Sequence, residues 1–178
     1  LRLQADWIRA SLAGALADYP LIDRFGNPVT GSQIDYNGQQ AGYTLDPQED
    51  ITYISKHDNQ TLYDLLVYKA PWGQNGRPFT SMEDSVRIQN MSLSVVTLAQ
   101  GVPFYHAGSD ILRSKSMDSN SFNSGDWFNR LDFSYQSNNF GVGLPPAGDN
   151  AGAWPQILPL LPDTRLYPET TDILSSAE

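Results

Sequence analysis

The sequence contains no cysteine, few basic side chains and no long apolar run. Without cysteine, the 178-residue chain can form neither disulfide bonds nor thiolate metal sites, and its redox compartment stays open. No apolar stretch approaches the roughly 18 residues that cross a bilayer, so no membrane partner is expected. Only 11 Lys and Arg oppose 20 Asp and Glu, which gives a net charge of −9. Nucleic acid is therefore not expected as a partner, because its phosphates are bound through clustered basic side chains.

Motifs for targeting and for cofactors are also missing. The first residues, LRLQADWIRA, alternate charged and apolar side chains and do not resemble a signal peptide. Cellular location is left undetermined between bacterial cytoplasm, secretion and plastid. There is no phosphate-binding loop, nicotinamide fingerprint or cluster of metal-ligating residues, so no cofactor is predicted from this segment.

Apolar and aromatic residues are plentiful enough for one globular domain. Hydrophobic residues make up 40% of the chain, and it contains 4 Trp, 9 Tyr and 7 Phe. Most of these rings are expected in the core, although aromatic faces and carboxylates are also the groups that bind neutral sugars. The 14 Gly and 12 Pro predict long polar loops, many of them in the second half.

Hydrophobic periodicity predicts helices alternating with short strands. Helical spacing covers residues 3–19, 61–69 and 81–100, and each of these segments is followed by Pro or Gly. Two runs rich in β-branched and aromatic residues, 51–55 and 102–108, predict strands. The remaining segments, including 70–79 with Trp72 and most of 114–150, are predicted to be loops. Strand, helix, strand is the repeating unit of an α/β fold with parallel strands.

A polar group, His57-Asp58-Asn59, follows the first predicted strand directly. At the C-terminal end of a parallel barrel strand such residues face the active site, where a carboxylate binds hydroxyls or acts as acid or base. From the pair His57-Asp58 alone, a turn or helix-capping role is the stronger interpretation.

The sequence around this group resembles that of a known family. The string YISKHDNQT is similar to the fourth signature region of the α-amylase superfamily of glycoside hydrolases, in the form found in its pullulanase and limit-dextrinase branch. Three further strings are similar to the same branch: LQADWIRASLAGALADY, GSDILRSKS and SGDWFNRLDFSYQSNN. Because four separate strings match in order, the resemblance spans essentially the whole chain.

The resemblance implies a fold and an activity. Residues 1–178 would be an α/β segment, the C-terminal portion of a catalytic (β/α)8 TIM barrel with about its seventh and eighth strands, incomplete and truncated at both ends. The parent enzyme would hydrolyse α-1,6-glucosidic bonds in pullulan, amylopectin or limit dextrins with retention. Its partners would be the α-glucan and the missing remainder of the barrel. Members of this family can bind calcium, but no oxygen cage can be assigned here.

The resemblance also assigns residue roles. Asp58 would be the third catalytic carboxylate, which stabilises the transition state, and His57 would donate to a hydroxyl of the same sugar with Asn59 close by. Asp126 and Arg130 would hold the next glucose unit. The family's other two carboxylates belong to regions of the types Phe-Arg-Phe-Asp and Gly-Glu, which this sequence lacks. The chain alone is therefore expected to be inactive.

Simpler alternatives stay open for several of these residues. Asp126 and Arg130 are four positions apart and could form an ordinary surface ion pair. His106 could be a hydrogen-bonded core residue, and Trp127 could pack beneath a site instead of stacking on sugar. For the whole chain, the alternatives are a non-catalytic glucan-binding remnant and an α-1,4-acting member of the superfamily.

Overall fold

A computed structural model describes residues 2–70 and 79–177. The predicted loop over 70–79, including Trp72, lies almost entirely outside these residues. The chain divides into two compact units. Unit 1 comprises Leu1–Ile54 and Ser94–Phe104, and unit 2 comprises Ser55–Leu93 and Tyr105–Glu178.

The regular elements in the described part of the chain are short. The α-helices are α1 (Arg2–Leu12), α2 (Leu62–Lys69), α3 (Met82–Leu98), α4 (Asp126–Asn129), α5 (Ala147–Asn150), α6 (Trp154–Ile157) and α7 (Thr170–Ala177). The strands are β1 (Pro20–Ile22), β2 (Pro28–Thr30), β3 (Asp35–Tyr36), β4 (Gln39–Gln40), β5 (Ile51–Thr52) and β6 (Val102–Pro103).

Unit 1 contains three separate two-stranded sheets. Strands β1 and β2 pair antiparallel, as do β3 and β4, whereas β5 and β6 pair in parallel. Two glycines let three of its segments approach closely. A Cβ atom on Gly31 would lie 2.1 Å from the carbonyl oxygen of Leu16, and one on Gly42 would lie 2.5 Å from the carbonyl carbon of Gly31. Larger residues at these two positions would force the segments apart.

The prediction of a partial TIM barrel is wrong. Parallel barrel strands are covered on both faces and run for several residues. Here the single parallel pair found in residues 2–70 and 79–177 is two residues long, and Ile51 and Val102 remain 58% and 46% exposed. The runs 51–55 and 102–108 were predicted to be buried strands, but their strand pairing ends after Thr52 and Pro103. They therefore do not form the predicted sheet.

The helix predictions fared better than the strand predictions. Helix α2 matches the predicted segment, and α3 lies within the predicted segment 81–100. Ser81 caps α3, because its Oγ accepts the N–H of Asp84 at 3.0 Å. Helix α1, predicted to run to Tyr19, ends at Leu12. The reason is local: Gly14 and Ala15 adopt left-handed φ values of 70° and 52°, which an α-helix cannot continue.

The core of unit 2 surrounds helix α2. It consists of Tyr63, Val67, Val86, Ile111, Leu112, Met117, Phe140, Ile157, Leu166 and Ile173, all buried. The hydroxyl of Tyr63 donates to the carbonyl oxygen of Leu166 at 2.7 Å, and this bond ties α2 to a segment more than 100 positions away in sequence. Helix α2 is therefore held in place by both apolar packing and a buried polar contact.

Two tyrosines of α2 allow a matched test of this buried contact. We expect Tyr63→Phe to lower the free energy of unfolding by about 1–3 kcal/mol, because it leaves the Leu166 carbonyl without its donor. Tyr68→Phe should change it by less than about 0.5 kcal/mol, since the buried Tyr68 hydroxyl has no hydrogen-bond partner among the described residues. Urea denaturation of both variants measures the difference, and equal losses would contradict it.

Candidate functional site

His57, Asp58 and Asn59 lie on the surface of unit 2 ahead of helix α2. The Asp58 side chain is 53% exposed, and its Oδ2 accepts a hydrogen bond from Lys56 Nζ at 2.5 Å. His57 Nδ1 lies 3.1 Å from Asp58 Oδ1. The hydrogen bond from Lys56 lowers the pKa of Asp58, and the charges of His57 and Lys56 add to the effect. Asp58 is therefore an ionised carboxylate that a solute can reach.

The capping interpretation of this dipeptide does not hold. The cap of α2 is Thr61, whose Oγ accepts the N–H of Asp64 at 3.2 Å. Asn59 adopts a left-handed φ of 61°, which turns the chain between Asp58 and that cap. The carboxylate of Asp58 thus contacts its neighbours Lys56 and His57 and does not cap helix α2.

A buried polar network lies behind this surface. Asp64 has no exposed area, and its carboxylate accepts hydrogen bonds from Ser114 Oγ at 2.5 Å and from the N–H of Lys115 at 2.8 Å. The Lys115 side chain is also buried, and its Nζ donates to the carbonyl oxygen of His57 at 3.0 Å. Burial raises the pKa of Asp64 and lowers that of Lys115.

Arg113 joins His106 to helix α4. One of its terminal nitrogens, Nη1, lies 3.2 Å from His106 Nε2 and 3.1 Å from the carbonyl oxygen of Ala107. The other, Nη2, donates to the carbonyl oxygen of Asn129 at 2.8 Å. Burial lowers the pKa of His106 to about 4, and the positive charges of Arg113, Lys115 and His57 contribute. His106 is therefore neutral at neutral pH and can accept from Arg113.

Asp126 and Arg130 flank helix α4 and are both exposed. They do not form the surface pair that their spacing allows, because Arg130 Nη2 instead lies 3.4 Å from Asp132 Oδ2. The side-chain amide of Asn139 donates to the carbonyl oxygens of Trp127 and Arg130 at 2.8 and 3.0 Å. Asn139 thus fixes the backbone of this short helix toward its C-terminal end.

Trp127 combines packing with exposure. Its side chain is largely exposed, yet a Cβ atom on Gly125 would lie only 2.3 Å from the indole ring. The ring therefore rests on the backbone of Gly125 and leaves its remaining surface to solvent. This arrangement suits an aromatic platform better than a residue packed beneath a site.

The structure connects the two predicted groups of site residues indirectly. Lys115 donates to the carbonyl oxygen of His57, and two positions earlier Arg113 contacts His106 and donates to the carbonyl oxygen of Asn129, next to Arg130. No hydrogen bond or ion pair among the described residues joins Asp58 to Asp126 or Arg130. The link therefore runs through Arg113 and Lys115, to which no local sequence pattern assigned a role.

The loop before α4 is ordered by a second buried carboxylate. Asp118 has no exposed area and accepts from the N–H of Asn120, from Ser124 Oγ and from Asn150 Nδ2, at 2.9, 2.6 and 3.0 Å.

Within residues 2–70 and 79–177, no group of three or more His, Asp or Glu side chains is arranged to hold a metal ion. None of the helices in this part of the chain is long and apolar enough to cross a bilayer.

Comparison with known proteins finds a family for the end of the chain. Residues 135–178 match the family described as alpha-1,6-glucosidases, pullulanase-type, C-terminal. For these residues, the match to a C-terminal pullulanase domain replaces the partial-barrel assignment corrected above.

Individual relatives extend the likeness to nearly the whole chain. It is 45% identical over 95% of its length to pullulanase 1 of Arabidopsis thaliana, a chloroplastic protein, and 44% identical over 95% to a pullulanase of Klebsiella aerogenes. The structure of a Klebsiella pneumoniae pullulanase with maltotriose matches 99% of the chain with a TM-score of 0.91 and 42% identity. The chain spans only 17%, 15% and 16% of these three proteins, respectively.

The contact between Arg113 and His106 can be tested by titration. We expect Arg113→Met to raise the pKa of His106 from about 4, because a positive charge is removed beside it, yet to leave it below 6.5, because burial remains. NMR of the histidine ring carbons resolves this, since the chain has only 2 histidines. Arg165→Met, which removes an exposed guanidinium paired with Asp163, is the control and should leave the value unchanged. An unaltered His106 pKa in the Arg113 variant would contradict the contact.

Proposed function

We propose that this chain is the C-terminal part of a longer debranching glycoside hydrolase. The enzyme would cleave α-1,6-glucosidic bonds in pullulan, amylopectin or limit dextrins with retention. One observation carries the proposal: Asp58 is exposed, ionised and braced by its neighbours, in a chain that is similar over 95% of its length to pullulanases.

The environment of Asp58 suits a group that stabilises a transition state without attacking it. The carboxylate is held by Lys56 and His57, and its lowered pKa keeps it charged at neutral pH. A charged acceptor binds ring hydroxyls more strongly as positive charge develops on the flattened sugar. The interaction is therefore strongest in the transition state, which is the condition for accelerating the reaction.

The remaining residues would bind and orient the glucan. His57 is 82% exposed and would donate to a hydroxyl of the same sugar, with Asn59 beside it. Asp126 and Arg130 would hold the next glucose unit from the two ends of α4. Trp127, with one open face, would offer a stacking surface nearby. These contacts would be orienting, because each of these groups is assigned to a hydroxyl or ring face of the sugar and not to the scissile bond.

The bond-breaking groups belong to the rest of the enzyme. Retention requires a nucleophile and an acid/base carboxylate about 5 Å apart across the scissile bond. The sequence lacks the two regions that carry these residues in the family it resembles. The remainder of the longer polypeptide is accordingly proposed as the partner of this segment, and the α-glucan as its ligand.

This division of labour predicts that the isolated chain is inactive. The purified 178-residue protein should release no reducing ends from pullulan above a buffer blank, since it supplies one catalytic carboxylate of three. A full-length Klebsiella pneumoniae pullulanase provides the positive control. Pullulan hydrolysis by the segment on its own would refute the proposed division.

The role of Asp58 predicts a large effect in the full-length enzyme. Asp58→Asn should lower kcat on pullulan by about 10²–10³-fold, because a neutral amide cannot stabilise developing positive charge. Asp149→Asn, a change of the same chemistry at an exposed position of α5, should stay within about twofold. Comparable rates for the two variants would rule out the role. Wild-type activity on amylose instead of pullulan would favour an α-1,4-acting enzyme.

A further inference from the structure

We infer that Lys115 is a positioning residue that sets the backbone of His57 and Asp58 from inside unit 2. The inference rests on the proposed role of Asp58. Lys115 does not reach the surface, so it cannot touch the glucan itself, and only 1% of it is exposed. Its ammonium group donates to the carbonyl oxygen of His57 at 3.0 Å.

The hydrogen-bond partner of the Lys115 ammonium group is informative, because burying a charged ammonium group away from water is costly. Two buried carboxylates, Asp64 and Asp118, belong to the same region, yet neither forms an ion pair with Lys115 among the described residues. Both carboxylates are instead occupied by backbone N–H groups, hydroxyls and an amide. Lys115 therefore does more than neutralise a buried charge, since the hydrogen bond that its ammonium group forms among the described residues goes to the backbone beside Asp58.

The bonded carbonyl belongs to the peptide unit that joins His57 to Asp58. Because that unit is planar, fixing its oxygen also restricts where the Asp58 Cα and side chain can lie. The hydrogen bond is needed there, since Asp58 is half exposed and its other contacts come from the neighbouring Lys56 and His57 side chains. A displacement of about 1 Å at such a group can cost up to about 100-fold in rate.

The segment that carries Lys115 is itself held rigidly. The Lys115 N–H donates to Asp64 on α2, the helix that follows Asp58 in the chain, so a closed loop of contacts links the two segments. The next two residues, Ser116 and Met117, both adopt left-handed φ values of 52° and 68° and are fully buried. Such backbone is unfavourable for residues with side chains and persists only where the surroundings hold it. Ser116 supplies one of those constraints, donating from Oγ to the carbonyl oxygen of Gly143 at 2.6 Å.

The inference is tested with Lys115→Met in the full-length enzyme, a change that keeps the length of the side chain and removes the ammonium. Pullulan hydrolysis should show kcat reduced about 10- to 100-fold with KM within about threefold, because the ground-state sugar contacts remain while Asp58 is displaced. The thermal midpoint should change little, since the lost hydrogen bond to His57 is offset by removing a buried ammonium group that is costly to desolvate.

Two further variants separate the outcomes. Tyr63→Phe removes another buried hydrogen bond of unit 2 and should lower the thermal midpoint while leaving kcat unchanged. Asp58→Asn tests the proposed role of Asp58 itself. If this variant retains the wild-type kcat, the proposed function and this inference are both overturned. If Asp58→Asn is slow, then a wild-type kcat in Lys115→Met overturns the inference alone. The inference is also overturned if Lys115→Met fails to fold, or if its loss of rate equals its unfolded fraction. In either case Lys115 would be required for stability only.

Discussion

The buried carboxylate of Asp64 is the interaction on which the organisation of unit 2 depends. It stands on the first turn of α2 and bonds Ser114 and Lys115 from a segment 50 positions later. These two bonds tie the segment to α2. From the same segment, Lys115 reaches the carbonyl oxygen of His57 and the partly exposed Arg113 reaches that of Asn129, so the surface groups around Asp58 and α4 both contact it.

Local sequence signals predicted helices α2 and α3 and the exposed polar groups but not what connects them. Helices α2 and α3 carry their own capping and periodicity, and His57-Asp58-Asn59 is recognisable as a string. The bonds of Arg113 to His106 and Asn129, and of Lys115 to His57, join positions 7, 16 and 58 residues apart. No pattern of apolar residues encodes such contacts. They depend on tertiary packing, and the family resemblance assigned no role to Arg113 or Lys115.

The strand predictions failed for a related reason. Short runs such as ITYIS and VPFYHAG are equally compatible with buried strands and with exposed apolar segments, because composition does not report what covers a residue. In this structure Tyr53 and Phe104 lie in edge-to-face contact while each remains about half exposed. Their hydrophobicity reflects this local pairing and the exposed face of unit 1, and it is not evidence for a long strand.

Gly125 illustrates a constraint that conformational preference does not reveal. Its φ of −59° is one that any amino acid adopts, so its backbone does not require glycine. What requires glycine is the indole of Trp127, which occupies the space where a methyl group would project. Alanine at this position would be acceptable to the main chain and would still lift the ring from its seat. The tilt of the Trp127 ring is thus encoded by the absence of an atom two residues away.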